Sequence, residues 1–212
     1  MAQLDLRPVR ITRDPARRSV QLLAGLALYG TSVAMLTRAH LGLEPWGVLA
    51  EGVMKHTGLT FGTATGVISV AVLLLWIPLR QRPGIGTVAN VVVISVTVDL
   101  VRAVLPDAHD LAWQIALLAG GVALNGFATA TYVGARLGPG ARDGLMTGLA
   151  ARTGRSVRLV RTGIEVTVVV AGFFLGGTVG VGTVLYALAI GPLTQALLPL
   201  VVWRDRQPAL RS

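Results

Sequence analysis

Three charged side chains have the spacing of a site: Asp143, Arg161 and Glu165. Arg161 and Glu165 are four residues apart, so on a helix they share a face. An Arg that precedes a Glu is the weaker order for such a pair, and helix stabilisation alone does not account for it. If the helix begins near Ser156, Glu165 lies more than two turns inside it, where an ionised carboxylate is costly unless paired or wet. Asp143 is placed to reach the same Arg161. Two chemistries fit. One is a substrate- or proton-binding site in which protonation of Glu165 follows the conformational state; the other is a structural clamp at a membrane boundary, with Arg161 snorkelling to the headgroups.

A second set consists of polar residues set among apolar ones: Tyr29 and Asn125 near the middle of their runs, and Asn90 and Tyr186 about one turn after two Gly-x-Gly-Thr stretches, 84–87 and 180–183. They can hydrogen-bond a ligand or join neighbouring helices. Trp46 joins them as a candidate substrate contact, although Trp46, Trp76, Trp113 and Trp203 all fall near the ends of apolar runs, where an amphipathic ring favours the headgroup level. The Gly-x-Gly-Thr stretches lack the Lys and the spacing of a phosphate loop, and Thr87 and Thr183 are expected to cap helices. Asp99 reads as a wet helix end, and Pro192 as a bend inside the last apolar run. His40, His56 and His109 lack the paired spacing or acidic partners of a metal site. No nucleophile–base set is visible, so neither an enzyme nor a cofactor is expected.

The elements that must position these residues follow from composition. Of 212 residues, 53% are hydrophobic and 14% charged, more apolar surface than a soluble domain of this length buries. Apolar runs of roughly 20 residues suit a hydrocarbon core about 30 Å thick, and six are expected, near 19–37, 61–79, 86–104, 112–134, 160–177 and 181–203. The net charge of +9 sits at helix ends rather than on one solvated face, which argues against nucleic acid as a partner. Arg13, Arg17 and Arg18 precede the first run, which reads as an uncleaved helix. Arg80, Arg82, Arg136, Arg142, Arg152, Arg155 and Arg158 then alternate with Asp107 and Asp110, which predicts a cell-membrane protein with both termini cytoplasmic. Arg38, His40, Lys55 and His56 on the outer side run against this pattern. The organisation expected is a basic tail at 1–18, a three-helix repeat at 19–104, an outer loop at 105–111, a second repeat at 112–203 and a tail at 204–212.

The repeat rests on a gapless match at an offset of 96 residues. Leu41-Gly42 falls on Leu137-Gly138, Thr57-Gly58 on Thr153-Gly154, Gly84-Ile85-Gly86-Thr87 on Gly180-Val181-Gly182-Thr183, Tyr29 on Asn125 and Asn90 on Tyr186. Three spans per repeat force the second copy to enter from the opposite face, so the fold class expected is an all-α membrane protein of two inverted three-helix repeats. Each repeat also carries a short non-spanning segment, 44–56 or 141–153, either re-entrant or lying in the interface.

The stretches Leu41 to Leu49, Gly84 to Thr87 with Asn90, Leu137 to Met146, Arg161 with Glu165, and Gly176 to Thr183 with Gly191-Pro192 resemble the YczE/YyaS/YitT family of bacterial integral membrane proteins. The resemblance implies a multispanning bacterial membrane protein and no particular substrate. The function expected is transport of a small solute or ion by alternating access between the repeats, with the lipid bilayer as surroundings. A non-transporting scaffold that binds a partner enzyme is the alternative, and small residues such as Gly121 and Gly126 would also permit a homodimer.

Overall fold

A computed structural model of the chain describes residues 8–9 and 12–203. The residues of the N-terminal tail outside these bounds, among them Arg7 and Arg10, and the whole tail at 204–212 lie outside the described residues. Eight helices and no strands form among them: α1 (Pro15–Ala39), α2 (Pro45–Thr57), α3 (Phe61–Leu79), α4 (Ile85–Val104), α5 (Leu111–Gly134), α6 (Ala141–Thr153), α7 (Val157–Phe174) and α8 (Val181–Val201). Their starts carry recognisable signals. Pro opens α1 and α2, where its missing N–H costs nothing, and Thr60, Asp110 and Ser156 accept from the backbone N–H three residues on at 3.1, 2.8 and 3.3 Å. Thr87 and Thr183 accept from the N–H groups of Gly84 and Gly180 at 3.1 and 3.2 Å, the capping expected of them.

Five helices, α1, α3, α4, α5 and α8, are long and apolar enough to cross a bilayer. Their outward faces carry Leu74, Leu100, Leu188 and Leu200, all largely exposed, a surface that suits lipid and not water. α7 starts and ends three residues before the expected run, because its chain leaves helical geometry at Leu175, and it holds Arg158, Arg161 and Glu165 within 18 residues. α2 and α6 have 13 residues each, about 20 Å at 1.5 Å per residue, too short to span.

α1 and α5 pack antiparallel at the centre, with α4 against α1 and α8 against α5; α2 and α6 each pack against both α3 and α7. At the centre glycine is required by proximity: a Cβ on Gly25 would lie 2.7 Å from the backbone nitrogen of Tyr132. At one end Arg18 is fully buried, donating to the carbonyls of Ala135 and Arg136 at 2.9 and 3.0 Å. Its guanidinium lies over the Trp203 ring, 4.8 Å from the centroid. At the other end Asp107 holds Arg38 and His40, both at 2.7 Å, and Glu51 holds Lys55 at 3.2 Å. Three of the four basic residues that ran against the charge pattern are therefore paired with a carboxylate.

Two expectations change. Trp46, Trp76 and Trp203 are buried, at 6%, 2% and 1% exposure, so only the half-exposed Trp113 suits the headgroup level. Trp76 Nε1 donates to the Ala141 carbonyl at 3.0 Å and Trp203 Nε1 to Asp14 at 2.9 Å, which is what holds these rings inside. Asp99 is a cap: it accepts from the backbone N–H of Gly62 at 2.8 Å and from the Thr60 hydroxyl.

Geometry recurs at the offset of 96 residues. Gly86 N–H donates to the Leu137 carbonyl at 3.1 Å, and Gly182 N–H to the Leu41 carbonyl at 2.8 Å; each bond joins the two halves, and each becomes the other when the halves are exchanged. Gly42 and Gly138 take φ of +112° and +126°, a region favourable only to glycine.

Candidate functional site

The residues that meet inside the bundle are those at the heads of the two half-length helices. Gly140 caps α6 without a side chain, and Glu44 at the head of α2 makes no side-chain cap, so the first N–H groups of both helices keep their partial positive charge. The two heads face each other: the Arg142 guanidinium, from the first turn of α6, stacks over the Trp46 ring of α2, 5.0 Å from its centroid. The N-terminal half of α2, Pro45 to Val48, is buried, which suits a re-entrant segment rather than one lying in the interface.

Glu44 is 2% exposed and its Oε2 has no hydrogen-bond partner; Trp46 Nε1 is likewise buried and unpartnered. A Cβ on Gly47 would lie 2.5 Å from Glu44 Oε2, so glycine is what lets the carboxyl fold against the helix head. Asp143 accepts from the Tyr132 hydroxyl at 3.0 Å. It does not take Arg161 as an ion-pair partner: Arg161 pairs with Glu165 at 2.7 Å, with side chains 45% and 25% exposed. Tyr186 donates to Asn125 Oδ1 at 2.9 Å, and Asn125 Nδ2 donates to the Ser32 hydroxyl at 2.7 Å.

These groups enclose a cavity of about 180 Å³. Of the residues singled out from the sequence, Tyr29, Trp46, Asp143, Arg161, Glu165 and Tyr186 line it. Asn90 lines a second cavity of about 50 Å³, separated from the first by Tyr29, Tyr132, Arg142 and Asp143, which belong to both. Asn125 lines neither; fully buried and bonded on both sides, it joins α1, α5 and α8. The two cavities correspond at the offset of 96 residues: Thr65 with Arg161, Ser69 with Glu165, Asn90 with Tyr186, Ile94 with Ile190, and Gly140 with Glu44. The charged wall of the larger is a hydroxyl wall in the smaller.

Sequence reasoning missed Glu44, Arg142 and Tyr132 as site residues. Glu44 stands next to a helix-starting Pro, and Arg142 falls on Trp46 at the repeat offset; those were the available signals. Another cleft, of about 840 Å³ between α3 and α7, is lined mainly by apolar side chains such as Ile68, Val72, Leu75 and Ile164 and holds no comparable polar set. No group of three His, Cys, Asp or Glu among the described residues is placed to hold a metal ion.

Apolar outward faces, five helices of spanning length and a polar cavity at the heads of two shorter ones define a multi-pass helical membrane protein. Residues 16–199 match a family of unknown function, DUF6198, and the chain belongs to that family. An uncharacterized protein of Haemophilus influenzae is 38% identical over 180 residues, covering 85% of this chain and 83% of the relative. The uncharacterized membrane protein YczE of Bacillus subtilis is 34% identical over 179 residues, 83% of each chain, and YyaS of the same organism is 24% identical over 181 residues, 84% of this chain and 90% of the relative. These two carry the names of the family that the sequence motifs resemble. No solved structure matches the chain.

Proposed function

We propose that this chain transports a small solute or ion by alternating access between two inverted repeats of three spans each, with α7 as the sixth span and α2 and α6 re-entrant. The observation that carries the reading is the pair of corresponding cavities at the helix heads, one of about 180 Å³ and one of about 50 Å³. In a chain built of two equivalent halves, exchanging the conformations of the halves closes the larger cavity and opens the smaller, which is the alternation such transporters use. Reciprocal bonds such as Gly86 to Leu137 and Gly182 to Leu41 support a two-fold relation between the halves, since only a two-fold makes contacts mutual. The charges of α7 are compatible with a span because Arg161 and Glu165 line the cavity and pair with each other. The positions of Arg80, Arg82, Arg152 and Arg155 support an orientation with both termini in the cytoplasm.

The test needs no substrate. The chain has no cysteine, so single cysteines in place of Gln195, at the larger cavity, and of Ser69, at the smaller, can be probed in sealed vesicles with an impermeant thiol reagent. Each should react from one face only, opposite faces for the two, and in the variant that carries both cysteines prior modification of the first should slow the second. A cysteine at 69 that reacts from neither face describes a packed interior and would favour the scaffold reading.

A further inference from the structure

The cavity between the two helix heads holds polar groups without hydrogen-bond partners, donors and one carboxyl oxygen among them. Arg142 brings five N–H donors; its guanidinium lies over the Trp46 ring, 5.0 Å from the centroid, and acts on Glu44 through charge at longer range than an ion pair. Trp46 Nε1 can only donate and has no partner, although the residue is 6% exposed. The heads of α2 and α6 add uncapped backbone N–H groups. Of the three carboxyls in the cavity wall, Asp143 and Glu165 are engaged by Tyr132 and Arg161; Glu44 alone has an oxygen that is buried and unpartnered.

We propose that this cavity binds a small organic monocarboxylate together with one proton, the carboxylate received by Arg142, Trp46 Nε1 and the N-terminal N–H groups of α2 and α6, and the proton taken by Glu44. The inference rests on the transporter reading for its purpose and names the substrate class of that site. A planar guanidinium matches a carboxylate with two parallel bonds, while Tyr29, Tyr186, Met146 and Ile190 offer apolar surface to the carbon part. An anion entering beside an ionised Glu44 meets like charge at close range in a water-poor site. Once Glu44 takes a proton the repulsion disappears, and its O–H becomes a further donor to the ligand. Proton and anion therefore favour each other's binding by linkage. The titratable groups around Glu44 are Tyr29 on α1, Tyr132 on α5, Arg142 and Asp143 on α6, Arg161 and Glu165 on α7, and Tyr186 on α8; α3, which also packs on α2, has none.

The test is calorimetric titration of the purified full chain in detergent with sodium benzoate and sodium acetate at pH 6, 7 and 8, with choline chloride at matched ionic strength as the control. Both probe acids are almost wholly ionised over that range, so a dependence on pH reports a proton taken up with the anion, and the comparison with Glu44→Gln shows whether Glu44 holds it. Saturable carboxylate binding should weaken about tenfold per pH unit on the alkaline side, as uptake of one proton requires. Glu44→Gln should bind with an affinity that does not change with pH, and Arg142→Gln should weaken binding at least tenfold. Should Arg142→Gln fail to fold, Trp46→Phe, which keeps the ring and deletes the donor, should weaken binding several-fold. No saturable carboxylate binding, competition by choline, or an unchanged pH dependence in Glu44→Gln would overturn the proposal. Alternating thiol access without carboxylate binding would sink this inference and leave transport standing; carboxylate binding without alternating access would do the reverse.

Discussion

Arg142 stacks on Trp46, 5.0 Å from guanidinium to ring centroid, and the two residues occupy equivalent places in the two halves, 96 positions apart. Equivalent residues of two repeats touch when they lie beside the axis relating them, so under the proposed two-fold arrangement this contact sets the heads of α2 and α6 at its centre. The same position is filled by an indole in one copy and a guanidinium in the other. Through that difference the two heads are matched in backbone and opposed in chemistry, one supplying the aromatic face and the other the charge.

Inversion of the repeats is open to a direct check at a second equivalent pair, His56 and Arg152, both exposed at the far ends of the half-length helices. In intact cells a cysteine replacing His56 should react with an impermeant thiol reagent and one replacing Arg152 should not. Reaction of both would mean parallel rather than inverted repeats.

Close packing against α6 makes a sharp contrast between two glycines. A Cβ on Gly144 would overlap the Trp76 ring, whereas one on Gly163 meets nothing within 4 Å. Gly144→Ala should lower stability in detergent by about 1–3 kcal/mol, while Gly163→Ala should leave it unchanged or raise it by up to about 1 kcal/mol through helix propensity. Equal thermal midpoints for the two variants would contradict the packing described.

How much was legible beforehand follows from what the signals depend on. The bounds of α3 and α5 could be read within a residue, because apolar length and turn residues are local. The placing of Trp46 and Trp76 could not: a ring near the end of an apolar run reads as a headgroup anchor, and only the tertiary path of the 40–44 loop takes Trp46 inward. Glu44 was missed for the same reason, since nothing local tells a helix-capping Glu in water from one enclosed by α6, α7 and α8. Asn125 reads from the sequence as a ligand contact or a helix joint, and its two bonds join α1, α5 and α8.

Those two bonds have a measurable value. Tyr186→Phe removes the donor to Asn125 Oδ1 and leaves that oxygen buried without one, so unfolding in detergent should show a loss of about 0.5–2 kcal/mol. An Asn125→Ala change, which also frees the Ser32 hydroxyl, should lose more than Tyr186→Phe; the reverse order would mean that the Asn125 bonds do not join the helices.

Acid should weaken the Asp107 end of the molecule. Hydrogen bonds from Arg38 and His40 hold the Asp107 carboxyl below its ordinary value. A carboxyl with a depressed folded-state pKa contributes stability that is present above its unfolded pKa, about 3.9, and is lost as pH falls through the folded value. The thermal midpoint of the wild type should therefore drop more between pH 5 and the lowest pH tolerated than that of Asp107→Asn. Parallel curves for the two proteins would contradict the assignment.

The rate of benzoate uptake bears on transport most directly, because one-to-one entry of proton and anion reaches the same final ratio as passage of the neutral acid through lipid. Vesicles carrying the full chain, with the outside at pH 6 and the inside at pH 8, should take up labelled benzoate at an initial rate that saturates and exceeds that of protein-free vesicles under the same gradient. Glu44→Gln should lose the acceleration that the gradient gives, and Arg142→Gln should fall to the protein-free rate. A protein that binds benzoate saturably and yet takes it up no faster than protein-free vesicles, at every gradient imposed, would contradict transport through this cavity.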